Sequence, residues 1–118
     1  MKKNIHIKKV SIQTGITQYT IRYYEKENLL LIPRDKNGIR TFNDKTILRL
    51  ETLKKLRMAG MSISEMRLIM SGEVTHQEQI ELYKNRLQAL IEQKKSIIDT
   101  IKFMEYKIKV HERQENNI

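Results

Sequence analysis

The sequence predicts an all-α chain with one small β-hairpin, organised as a compact head followed by a long coiled-coil helix. Three observations carry that expectation. Glycines at positions 15, 60 and 72 each follow a short amphipathic stretch, as glycines that close helices do. The single proline, Pro33, stands shortly before the single Asn-Gly pair, Asn37-Gly38, in a basic segment. From Ile80 onward, apolar residues alternate three and four apart over four heptads, the pattern of a helix that packs along a seam.

Taken in order, residues 10–14 read as a short first helix, ended by Gly15, which can adopt the left-handed conformation without a Cβ clash. Thr17 is a good N-cap for a second helix over 18–26, in which Ile21 and Tyr24 lie on one face. Asn28 and the Leu29-Leu30 pair end it. Pro33 forbids a helix beyond, and Asn37-Gly38 suits the two central positions of a type I′ turn. A two-stranded ribbon over 31–34 and 39–42 is therefore expected, carrying Arg34, Lys36 and Arg40. Asn43 or Asp44 caps a third helix over 45–59, with Ile47, Leu50, Leu53, Leu56 and Leu48 as its apolar stripe and Gly60 as its stop. The stretch SISE at 62–65 is a capping box, in which Ser62 and Glu65 each satisfy a free backbone N–H. The fourth helix then runs to Ser71 and ends at Gly72.

The heptad series comprises Ile80, Tyr83, Leu87, Leu90, Lys94, Ile97, Ile101, Met104 and Ile108, with Lys94 its one polar interruption. A helix over 75–113 would be roughly 58 Å long at ~1.5 Å per residue. That is too long to fold back on a 74-residue head, so the seam calls for a second copy and these nine residues are the expected dimerisation set. Two domains follow: a head over 1–74 and a dimerisation helix with a short tail over 75–118.

Composition limits the function. Hydrophobic residues make up 39% and charged residues 31% of 118, a balance that favours an ordered chain over a disordered one. Without cysteine, disulfides and thiolate metal sites are excluded and a cytoplasmic setting is expected. His6, His76 and His111 are far apart in sequence, so no metal site is expected and no cofactor is implied. The longest apolar run, Leu29 to Ile32, is too short to engage a membrane as a span. No nucleophile with a nearby base and no phosphate-cradling glycine loop is present, so the chain is not expected to be an enzyme. Net charge is +9, and residues 1–74 hold 15 Lys and Arg against 7 Asp and Glu, while residues 75–118 hold 8 against 7. A basic head on a near-neutral tail points to a polyanionic partner.

Two helices joined by a glycine turn make a helix-turn-helix, whose second helix enters the DNA major groove. The order of parts, with TIRYYEKENLL followed by PR, NGIRTF and LRMAGMSISEMRLIM, resembles the MerR family of bacterial transcription regulators closely over residues 5–72. The resemblance implies a winged helix-turn-helix head, a homodimer joined by an antiparallel coiled coil, and regulation through distortion of promoter DNA read by RNA polymerase. Metal-sensing relatives carry cysteines near the start of the long helix, and some small relatives carry one in the third helix, near Lys55 here. This chain has none, which removes thiol sensing.

On this reading Tyr24 packs inward with Ile21, its hydroxyl reaching a polar group at the rim. The exposed face of the second helix presents Thr17, Gln18, Tyr19, Arg22, Tyr23 and Lys26 to double-stranded DNA, flanked by Arg34, Lys36 and Arg40. Lys54, Lys55 and Arg57 rank lower as phosphate contacts, and Met58, Met61, Met66 and Met70 are expected mainly in the core. The alternative is a coiled-coil interaction protein whose basic head binds RNA or an acidic partner by charge alone.

Overall fold

The computed structural model describes residues 5–116. It contains five helices: α1 (Ile7–Thr14), α2 (Gln18–Lys26), α3 (Asp44–Met58), α4 (Ile63–Ser71) and α5 (His76–Asn116). The chain divides into two compact units that part between Leu82 and Tyr83. Among the described residues no helix is long and apolar enough to cross a membrane.

Helix α1 starts three residues before the expected Val10. Its N-cap, His6, makes no side-chain capping bond, so nothing local advertises the start. The onset is set by the preceding residue. Ile5 exchanges two backbone hydrogen bonds with Phe42, at 3.1 and 2.8 Å, and this bridge pins the chain where the helix begins. At the other end Gly15 takes φ 75° and donates to Ser11 O. The turn to α2 is also stitched by Thr14, whose hydroxyl donates to Val10 O at 2.8 Å and accepts from Ile16 N–H at 3.2 Å.

Helix α2 has the expected bounds, with Thr17 Oγ1 accepting from Thr20 N–H at 3.1 Å. It ends in a Schellman motif: Asn28 N–H donates to Glu25 O and Leu29 N–H to Tyr24 O. Asn28 sits at φ 60°, the one non-glycine residue with positive φ among those described, a role asparagine fills better than other side chains. The buried Leu29 that follows closes the motif over Tyr24. Helix α3 ends in the same way. Gly60 N–H donates to Arg57 O and Met61 N–H to Leu56 O, with Ala59 as the last residue of the helical turn and Gly60 at φ 89°.

The segment between α2 and α3 departs from expectation. The two-stranded ribbon is reduced to one antiparallel bridge, Arg34↔Arg40. The turn is not type I′, because Asn37 is not among the residues of positive φ, whereas Gly38 is, at 78°. Gly38 N–H donates to Asp35 O at 2.9 Å and Asp35 N–H to Ile39 O at 2.8 Å. This is a type I turn closed by a left-handed glycine in a bulge. Asp35 causes the switch, since its Oδ1 accepts from both Asn37 N–H (2.8 Å) and Ile39 N–H (3.0 Å). A carboxylate that captures two backbone donors outweighs the intrinsic preference of Asn-Gly.

Asn43 caps α3 by accepting from Thr46 N–H at 2.9 Å, and Ser62 and Glu65 form the expected capping box of α4. A second such box, overlooked in the sequence, starts α5: Thr75 and Glu78 bond each other's backbone N–H at 3.1 Å. The Thr75 backbone N–H, with the Thr75 hydroxyl second, holds the Glu78 carboxyl below its ordinary range. The head core joins Val10, Ile16, Ile21, Tyr24, Leu29, Leu30, Ile32, Phe42, Leu50, Leu53, Met61, Met66 and Ile69. Leu48 does not belong to the α3 stripe, being 63% exposed, and Met58 is exposed while Met61 and Met66 are buried. Leu82, in the second turn of α5, packs against this core.

Candidate nucleic-acid interface

The exposed side of α2 gathers most of the residues expected there. Tyr19 is 78% exposed and Tyr23 37%, with Arg22 and Lys26 also exposed. Gln18 Oε1 accepts from Arg22 Nη2 at 3.2 Å, so Gln18 steadies the guanidinium as well as lying beside it. The hydroxyl of Thr17 is engaged in the cap, accepting from Thr20 N–H and donating to Thr20 Oγ1 at 2.9 Å. Tyr24 points the other way and is only 5% exposed. Its ring centroid lies 6.3 Å from that of Tyr23, tilted by 49°. Burial raises the pKa of the Tyr24 phenol, an effect that the nearby positive charge of Arg57 opposes. The adjacent tyrosines thus divide between surface and core.

Arg34 and Arg40 reach α2 through a residue that the sequence reading passed over. Glu25 Oε1 accepts from Arg34 Nη2 at 3.0 Å and from Arg40 Nε at 2.9 Å. The carboxylate side chain is one-fifth exposed. Lys36 stands exposed at the turn. Partners nine and fifteen residues apart follow no helical or strand period, so only the fold brings them together. The one available hint was an acidic residue in a stretch otherwise chosen for basic and aromatic side chains.

Lys54 and Arg57, ranked lower as phosphate contacts, and two further arginines join elements of the head. Lys54 Nζ donates to Thr14 O at 2.8 Å, at the end of α1. Arg57 Nη1 donates to Met61 O at 3.2 Å, Arg49 Nη2 to Met70 O at 3.0 Å, and Arg67 Nε to Glu27 O at 3.0 Å. Arg67 also pairs with the Glu27 carboxylate at 3.0 Å. Each carbonyl lies at or just past a helix end, where backbone acceptors lack partners and positive charge is favoured. Lys54 and Arg57 also border an open recess of about 400 Å³ beside the α1–α2 turn, with Thr17, Thr20 and Tyr24.

On α5 the eight apolar members of the heptad series are 37–59% exposed in the single chain, and Lys94 is exposed among them. No residue of the helix is buried. Ile91 and Ile98 widen the apolar stripe, and Phe103 and Tyr106 expose further aromatic surface.

A glycine-closed pair of helices whose second member presents arginine, lysine and two tyrosines to solvent defines a helix-turn-helix, DNA-binding regulatory protein. Residues 5–73 match the MerR HTH family regulatory protein. The chain belongs to the MerR family of helix-turn-helix transcription regulators. It is 30% identical over 110 residues to an HTH-type transcriptional regulator of Haemophilus influenzae, covering 89% of this chain and 82% of that protein. To the regulator AdhR of Bacillus subtilis it is 34% identical over 93 residues, 75% of this chain and 66% of AdhR. Among solved structures, HiNmlR, a MerR family regulator lacking the sensor domain and bound to promoter DNA, superposes with a TM-score of 0.81 at 28% identity, covering 94% of this chain and 92% of that one. A MerR family regulator from Listeria monocytogenes gives 0.78 at 27% identity, over 88% and 83%.

Proposed function

We propose that the protein acts in the cytoplasm as a homodimer that reads a near-palindromic promoter site and distorts it for RNA polymerase. Residues 1–74 serve as the DNA-binding domain and 75–118 as the dimerisation helix. The observation that carries this reading is the pairing of a basic, aromatic α2 face with an uncovered heptad seam on the same chain. HiNmlR bound to promoter DNA supports duplex DNA over RNA or an acidic protein as the partner.

In this reading Tyr19, Arg22 and Tyr23 meet base edges and phosphates, with Gln18 steadying Arg22 and Lys26 adding charge at the end of α2. Thr17 caps the helix start, and the recess beside it, bordered by Lys54 and Arg57, seats a phosphate. The Arg34–Arg40 turn serves as a wing, with Lys36 at its tip. Arg22→Ala is expected to weaken operator binding by roughly 1.5–3 kcal/mol, the worth of a charge-assisted contact, and Tyr23→Phe by less. Neither should unfold the head, because both side chains are exposed. Titration of a labelled operator checks this, and a melted Arg22→Ala variant would move that residue into the structural set.

Two heads held at a fixed separation contact successive major grooves only where the duplex matches that spacing. Where it does not, binding energy bends or untwists the DNA, at a cost of order 1–6 kcal/mol. Transcription from promoters with base pairs inserted or deleted between their recognition elements tests the mechanism. Shortening an overlong spacer to the optimum should raise basal transcription and abolish activation. Activation that persists at every spacer length would point to recruitment instead.

A further inference from the structure

We propose that Glu25 is a positioning residue for DNA reading: it fixes the two wing arginines at a set height beside the exposed face of α2. The proposal rests on the assignment of this surface to DNA and goes beyond it, since an acidic side chain repels phosphate and would not itself be counted among the contacts.

Arg34 and Arg40 form the one bridged pair of the turn. Like charges directly opposite each other destabilise a pairing. Glu25 resolves the conflict, because its Oε1 accepts from both guanidinium groups, at 3.0 and 2.9 Å. The carboxylate therefore permits two arginines to share one level and ties that level to α2. The two sides of the turn are joined by backbone bonds from Asp35 N–H to Ile39 O and from Thr41 N–H to Pro33 O, both 2.8 Å, but these pair the turn with itself. The side-chain clamp ties it to α2.

The clamp leaves the arginines able to bind. Each guanidinium has five N–H donors, and the bonds to Glu25 engage Nη2 of Arg34 and Nε of Arg40. The remaining donors form a pre-oriented pair for backbone phosphates. Three residues before Glu25, on the same side of α2, stands Arg22. The clamp thus sets the distance between a wing contact and a helix contact, and a duplex is selected by fitting both. Specificity, more than attraction, should depend on it.

Charge and position can be separated by two variants of the full-length protein. Glu25→Gln keeps the shape and removes the charge, which makes the surface more positive. Glu25→Asp keeps the charge and withdraws it by one methylene. Affinity is measured for an operator selected from random duplexes by the wild-type protein and for a scrambled duplex of equal length, at the same salt. Melting is followed in parallel. Both variants are expected to lose roughly tenfold in the operator-to-scrambled ratio, the scale of one well-placed contact. Glu25→Gln should hold the scrambled duplex at least as tightly as wild type, and melting should change little for a partly exposed pair.

A Glu25→Asp ratio equal to wild type would overturn the proposal, since charge alone would then suffice. So would a parallel loss on both duplexes with a lowered melting temperature, which marks a residue needed only for folding. If wild type itself failed to distinguish any selected duplex from scrambled DNA, the DNA assignment would fail, and the proposal with it. That result is visible before either variant is made.

Discussion

The full-length chain carrying Ile97→Asp and Ile101→Asp is expected to be monomeric and to bind its operator about 10²- to 10⁴-fold more weakly than wild type. The size of the effect follows from linkage. In the proposed homodimer, once one head is bound the paired helices would hold the second at a high effective concentration, whereas a monomer must find the second half-site from bulk solution. Both isoleucines are half-exposed in the single chain, so aspartate costs the monomer little. In a paired seam two uncompensated carboxylates would lose their water, and assembly would be opposed strongly. Lys94 already sets one charge at an a position and would specify register or orientation at some cost in stability. Sedimentation at micromolar concentration reads the assembly state, and titration reads affinity. A dimer that persists with affinity within a few-fold of wild type would place the dimer contact elsewhere. A chain ending at Leu82 makes a useful companion, because it keeps the contact of Leu82 with the head core.

Tyr24→Ala should destabilise the head by about 3–5 kcal/mol, the usual cost of removing a buried aromatic ring. For a unit of this size that corresponds to a drop of more than about 10 °C in melting temperature. The Tyr24 ring packs within the core cluster, so its removal leaves a cavity there, while the Schellman bond from Leu29 N–H goes to the Tyr24 backbone carbonyl and is kept. Tyr24→Phe isolates the phenol. Because burial raises the pKa of this hydroxyl in the fold, its contribution is fully present below the ordinary tyrosine value near 10. Stability falls as pH rises from there through the raised folded value, and Tyr24→Phe should blunt that alkaline loss. Melting curves at neutral and alkaline pH check both statements. A Tyr24→Ala variant with wild-type stability but weakened DNA binding would reverse the division between the two tyrosines.

Helix ends were the most legible part of the fold, because their signals are local. Thr17, Asn43 and Ser62 each bond an N–H within the first helical turn, so the capping side chain and its partner lie three residues apart in the sequence. Asn28 was legible as a stop for the same reason. The start of α1 was not, because it depends on a backbone bridge from Ile5 to a residue 37 positions away, Phe42. The turn was misjudged for a subtler reason. Asn37-Gly38 carries a real preference, yet Asp35, two residues earlier, competes for the same backbone donors. On the surface, periodicity placed Arg22, Tyr23 and Lys26 on the exposed side of α2 and an exposed apolar stripe along α5, and charge singled out Arg34 and Arg40. Neither could reveal Glu25, whose role comes from two arginines brought together by tertiary folding. Nor could they separate Arg49, Lys54 and Arg67, which join helix ends, from cations left facing solvent.

Those cross-links bear on how the regulator searches a genome. A guanidinium bonded to a carbonyl of its own fold still contributes to the field felt within a Debye length, about 8 Å at physiological salt. It therefore helps draw the protein toward a chromosome. Arg49, Lys54, Arg57 and Arg67 each give a nitrogen to a backbone oxygen, which fixes the charge at one place on the head while the other N–H donors stay available. Retention on a duplex depends on the counterions displaced at close contact. In the proposed complex that contact is made where α2 and the wing fit the DNA, while charges fixed elsewhere on the head add to the field that steers it there.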